Sequence, residues 1–125
     1  MVNYWKGIHF ERINEFDDAL KHLKESFEAI EKYDTFSMLR PNILSTLGIT
    51  YTRKGELDLA LKFHKESLAS SKGKNLIIDL INGTSYHNIG EIYFQKGDID
   101  SAVKYYEKSL KNWQHYVSAV TIFWV

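Results

Sequence analysis

The sequence predicts an all-α fold, a right-handed superhelical solenoid of three antiparallel helix pairs, and three observations carry that expectation. A phrase built on Gly7, Gly48 and Gly90 recurs at spacings of 41 and 42 residues. Each copy runs Gly-x-x-aromatic (Phe10, Tyr51, Tyr93), then Asn14, Gly55 or Gly97, then Ala19, Ala60 or Ala102, then Ser26, Ser67 or Ser109. A fixed period of this size marks stacked supersecondary units. The second observation is spacing: apolar residues recur at three and four residues, and no stretch alternates with period two. The third is punctuation. Gly55 and Gly97 follow Lys54 and Lys96, a glycine stop after a basic residue that suits a helix C-terminus.

Taken in order, helices are expected near 2–13, 17–33, 38–54, 58–72, 76–96 and 100–115, in repeats of approximately 1–34, 35–75 and 76–116 that form one domain, 1–125. In the second repeat, Ile43, Leu44, Leu47 and Tyr51 form one stripe, and Leu57, Leu61, His64 and Leu68 the next. In the third, Leu80, Ile81, Ile89 and Tyr93 are followed by Ile99, Val103, Tyr106 and Leu110. Asp17, Asp58 and Asp100 are placed to accept from the unpaired N–H groups that open each second helix. Pro41 belongs in a first turn, where a missing N–H costs little. The glycines of the first helices, set against the alanines of the second, are expected to let the helices approach closely. Residues 117–125 read as the truncated start of a further helix.

Charge and composition narrow the function. Sixteen basic residues balance sixteen acidic ones, so nothing points to nucleic acid or an anionic membrane. The absence of cysteine excludes disulfides, thiol catalysis and thiolate metal sites. Asn3, Lys6 and His9 interrupt any apolar leader, and the Val117–Val125 run is too short to span a bilayer. These features predict a soluble, cytoplasmic chain.

No constellation supports an enzyme. His9, His22, His64, His87 and His115 show neither His-x-x-x-His nor Glu-x-x-His spacing. His64 falls in a core slot and reads as a packed histidine with one satisfied nitrogen. His87 and Glu91, four apart, read as an ordinary helix pair. There is no phosphate loop and no nucleophile elbow. Asn82-Gly83-Thr84 fits a glycosylation sequon but falls within or at the start of a helix. No metal and no cofactor are expected.

The phrases Leu47-Gly48-x-x-Tyr51 and Ile89-Gly90-x-x-Tyr93, with Ala60, Ala102 and Tyr106, resemble the tetratricopeptide repeat. The likeness covers essentially the whole chain, with His64 in the aromatic slot of the second copy. The period exceeds the family's usual 34 residues by about two helical turns, which keeps the core faces in phase. In this it resembles kinesin light chains and prokaryotic signalling arrays. The resemblance implies a non-enzymatic protein–protein interaction module that binds a peptide or helix in a concave groove. By the same resemblance that groove is lined by Asn42, Ser45, Ile49, Thr52 and Arg53, and by Thr84, His87, Asn88, Glu91 and Phe94. The first copy would add Tyr4, Ile8, Glu11 and Arg12. Members that clamp a chaperone's terminal carboxylate need Lys and Asn where this chain has Tyr4, Ile8, Thr46, Thr84 and Asn88, so that specialisation is not expected. Asn88 alone suits a peptide backbone, since an amide both donates and accepts.

The alternatives are a self-assembling scaffold or a regulatory-domain fragment of a larger signalling protein. The uncharged apolar tail, with Ile122, Phe123, Trp124 and Val125, predicts a homo-oligomer formed through that end.

Overall fold

The computed structural model describes residues 15–33, 39–71 and 76–124, without the side chains of Tyr33 and residues 122–124. The helix expected near 2–13, with Tyr4, Ile8, Glu11 and Arg12, lies outside them. All regular structure among the described residues is helical: α1 Phe16–Tyr33, α2 Leu39–Lys54, α3 Leu57–Ser70, α4 Leu76–Gln95 and α5 Ile99–Trp124. The chain divides into two compact units, Met1–Ser70 and Ser71–Val125. In the first, α2 packs on both α1 and α3; in the second, α4 pairs with α5. Among the described residues no helix is long and apolar enough to cross a membrane.

The glycine stops take the expected form. Gly55 and Gly97 adopt φ of 91° and 83°. The N–H groups of Gly55 and Glu56 donate to Thr52 and Tyr51, and those of Gly97 and Asp98 to Phe94 and Tyr93. This double bond pattern satisfies carbonyls the helix end would otherwise leave bare. Pro41 is the third residue of α2, inside its first turn.

Each second helix starts one residue before the expected position, at Phe16, Leu57 and Ile99, and its cap lies two residues before the expected aspartate. Ala19, Ala60 and Ala102 donate to the carbonyls of Glu15, Glu56 and Asp98, which therefore occupy the capping positions. Asp98 caps fully: its Oδ1 accepts from the Ser101 N–H at 3.1 Å and its Oδ2 from the Ser101 hydroxyl at 2.7 Å. Those bonds hold its carboxyl below the usual range. Asp17, Asp58 and Asp100 lie within the first turn, where their charge favours the helix dipole.

At the far end, residues 117–124 continue α5 without a break and open no new helix. No glycine lies between Lys111 and Val117 to end the helix as Gly55 and Gly97 end α2 and α4. The expected patch of Ile122, Phe123, Trp124 and Val125 lies outside the described side chains.

Small residues and rings dominate the paired faces. Ala60, His64 and Ser67 of α3 are buried, as are Ala102 and Ser109 of α5. A Cβ on Gly48 would stand 2.6 Å from the His64 ring, and one on Gly90 2.8 Å from the Tyr106 ring. One on Gly83 would meet Trp113. The glycines are thus sockets for rings, where an opposition of glycine to alanine was expected. The repeated serines close the same contact. Ser67 donates to the Pro41 carbonyl at 2.8 Å and Ser109 to the Gly83 carbonyl at 2.7 Å, both buried. Beside them, Tyr51 stacks on Phe63 at 5.3 Å and Tyr93 on Tyr105 at 5.5 Å.

The aliphatic stripes are corrected in part. Ile43, Leu44, Leu47, Ile81 and Ile89 are buried as expected. Leu80, Ile99, Val103 and Leu110 are exposed.

Candidate functional site

The α4 helix turns Gly83 and Gly90 towards α5 and leaves another face open. Residues at three- and four-residue steps along that face are Ile77, Leu80, Thr84, His87, Glu91 and Phe94. Phe94 is 60% exposed, and Ile77 and Leu80 are also exposed. The face thus has apolar ends and a polar centre. In that centre His87 Nε2 lies 3.4 Å from Glu91 Oε1, the expected pair. The His87 ring also sits 5.5 Å from Tyr106 and 5.7 Å from Trp113, which limits its rotation. Burial, and then the Glu91 charge, raise the Tyr106 hydroxyl above its usual pKa. The Thr84 hydroxyl donates to the Leu80 carbonyl at 3.0 Å.

Asn88 is half-buried beside this face, with its Nδ2 shielded from solvent and lacking an acceptor. A 180° turn of the amide exchanges its oxygen and nitrogen, so the side chain can offer either a donor or an acceptor.

On α2 the corresponding positions are Asn42, Ser45, Ile49, Thr52 and Arg53. Asn42, Ile49 and Thr52 are half-buried and Arg53 is exposed. Thr52 spends its hydroxyl on the Gly48 carbonyl at 2.9 Å. Ser45 departs from the expected groove position because it is buried. It lies in line with Pro41 and Gly48, between the two points where α3 closes on α2 through Ser67 and His64.

His64 also differs from expectation. It is fully buried and neither ring nitrogen has a hydrogen-bond partner. Desolvation pushes its pKa down to about 4, so it is a neutral packing group. Sequence reasoning missed the bond of 2.6 Å between His115 Nδ1 and Asp79 Oδ2, which ties α5 to the first turn of α4. Residues 36 apart carry no local signal. Asn82 lies inside α4, next to the buried Gly83, so the sequon is not on an open loop. Among the described residues no group of three or more His, Asp or Glu side chains could hold a metal ion.

A family model described as tetratricopeptide repeat matches residues 1–72, and a second model of the same description matches 83–112. The chain belongs to the tetratricopeptide repeat family. Tetratricopeptide repeats generally mediate protein–protein interaction or scaffolding, and proteins of the family are typically non-enzymatic. The solved TPR domain of Arabidopsis FLU (FLU-TPR) is similar in fold, with a TM-score of 0.78 at 21% identity over 91% of this chain and 93% of that one. MamA is also similar, with a TM-score of 0.71 at 25% identity over 93% of this chain. The chain spans 59% of the length of MamA. No match is found among curated proteins.

Proposed function

We propose that this tetratricopeptide repeat chain is a non-enzymatic interaction module and that the open first-helix faces take a peptide or helix. The observation that carries the reading is the open face of α4. Phe94 stands in solvent at one end and Ile77 and Leu80 at the other, with the His87–Glu91 pair between them. An exposed aromatic next to oriented polar groups is the composition of an interface centre. Asn88 supplies the amide that bonds a peptide backbone. Asn42, Ile49, Thr52 and Arg53 hold the corresponding positions on α2, with Ser45 contributing packing. We read the 41–42-residue period as the long form that resembles kinesin light chains and prokaryotic signalling arrays. Helices of 16 and 14 residues in one pair and 20 and 26 in the other support that reading.

The test is selection from a displayed library of random peptides on the full chain. The selected peptides should lose binding to the Asn88→Ala/Phe94→Ala double variant and keep it with Val103→Ser. Peptides indifferent to the double variant would place the site elsewhere.

A further inference from the structure

The line of Gly83 and Gly90, turned to α5, divides α4 into two flanks that treat charge differently. On one flank Tyr86 and Tyr93 lie against Tyr105 of α5, with ring centroids 6.2 Å and 5.5 Å apart. The chain supplies cations to that flank itself. Lys108 stands over Tyr86 at 5.6 Å and over Tyr105 at 5.3 Å, and Lys104 over Tyr105 at 5.8 Å. A lysine so placed is attracted by the ring's negative face, while its stem packs on the apolar surface beside it. In the first unit Lys62 stands over Phe63 in the same way, at 5.9 Å.

The other flank has rings and a carboxylate in place of the lysines. His87 lies 5.5 Å from Tyr106 and 5.7 Å from Trp113, and Phe94 stands in solvent. Among the described residues no lysine or arginine pairs with Glu91, whose one ion-pair partner is His87 at 3.4 Å. That is longer than a charge-assisted hydrogen bond of about 2.7–2.9 Å. An ionised carboxylate offers about four acceptor sites, so Glu91 keeps most of its capacity unspent. In the same unit Asp79 is committed to His115 at 2.6 Å and Asp98 to Ser101 at 2.7 and 3.1 Å. Next to burial, the Glu91 charge is what raises the Tyr106 hydroxyl. A field that opposes a phenolate there favours a cation in the same place. The combination belongs to α4 alone, because 42 residues earlier Glu91 and Phe94 correspond to Ile49 and Thr52.

We infer, on the reading of this face as the peptide groove, that Glu91 is its specificity-determining residue and selects a peptide bearing a lysine or arginine. The stem of that side chain lies across Phe94 and its charged head meets the carboxylate. Glu91 and Phe94, three residues apart, are neighbours on the helix surface and within reach of one long side chain. The test selects displayed random peptides on the full chain and, in parallel, on Glu91→Gln, Glu91→Lys and Glu107→Gln. All these positions are exposed, and circular dichroism checks that the variants fold. Lysine and arginine should be enriched at one peptide position on the parent chain and on Glu107→Gln. Glu91→Gln should abolish the enrichment, and Glu91→Lys should turn it to aspartate and glutamate. A selected peptide remade with norleucine for its basic residue should bind the parent chain about fivefold more weakly by anisotropy and Glu91→Gln no differently. Peptides that need Asn88 and Phe94 but show no basic preference would overturn the role of Glu91 and leave the groove standing. A basic preference that survives Glu91→Lys would overturn it equally, by assigning the cation to another surface. Failure to select any peptide would overturn both the groove and its charge preference.

Discussion

Replacing Gly48 by alanine tests the ring-in-socket packing against the ordinary helix preference. Gly48 lies inside α2, where alanine is favoured over glycine by about 1 kcal/mol. The new Cβ would lie 2.6 Å from His64 Nε2 and 2.7 Å from its Cδ2 and Cε1. Ordinary contact begins at 3.4 Å, so the ring must retreat by 0.8 Å. It has no free space to retreat into, because His64 is fully buried between the helices. Overpacking of this kind costs about 1–3 kcal/mol. Set against the propensity gain, Gly48→Ala should destabilise the chain by about 1 kcal/mol. The same substitution in a His64→Ala background meets no ring and should stabilise by up to about 1 kcal/mol. The sign therefore inverts between backgrounds, and the cycle of four proteins should give a coupling of about 1–3 kcal/mol. Urea unfolding followed by far-ultraviolet dichroism, with m-values compared, measures each corner. A wild-type background stabilised by Gly48→Ala, with no coupling to position 64, would refute the reasoning.

Three further outcomes follow from the same contacts. His64 has a folded pKa of about 4 against an ordinary 6.5, so the unfolded chain takes up its proton first as pH falls. Its contribution is present above pH 6.5 and lost on descent through pH 4, a loss of about 3 kcal/mol. Unfolding midpoints measured from pH 7.5 to 4 should show that decline, and His64→Leu should flatten it. Ser67→Ala and Ser109→Ala each remove a buried hydroxyl bond to a first-helix carbonyl and should cost about 1 kcal/mol by the same assay. A Cβ at Gly55 meets nothing within 4 Å, so its substitutions report backbone strain alone. Gly55→Ala should cost about 1 kcal/mol and Gly55→Asn less, read from thermal midpoints.

The repeat phrase made the helices and their glycine stops legible, because both follow from local rules that a sequence states directly. The serine positions were visible as periodic, but their role was not. Ser67 reaches back 26 residues to Pro41, and only the paired helices bring them together. The candidate site shows the same division. The His87–Glu91 pair lies on one helix and was readable from spacing, whereas the burial of Ser45 depends on Ser67 and His64 of the facing helix.

The core of the second unit shows most clearly why hydropathy alone ranks stripes wrongly. α5 carries two apolar lines: Ile99, Val103, Leu110 and Val117 on one, and Ala102, Tyr106, Ser109 and Trp113 on the other. By side-chain hydrophobicity the first line belongs inside. The deciding quantity is the shape of α4, which offers Gly83 and Gly90 where a Cβ would collide with Trp113 and Tyr106. Flat rings fill those sockets, and Ser109 is small enough to reach the Gly83 carbonyl. Aliphatic side chains in their place would hold the helices apart and lose that bond. Close approach of the backbones therefore selects the second line for the interior and turns the aliphatic line outward. Burying that line would then require a helix from outside the unit.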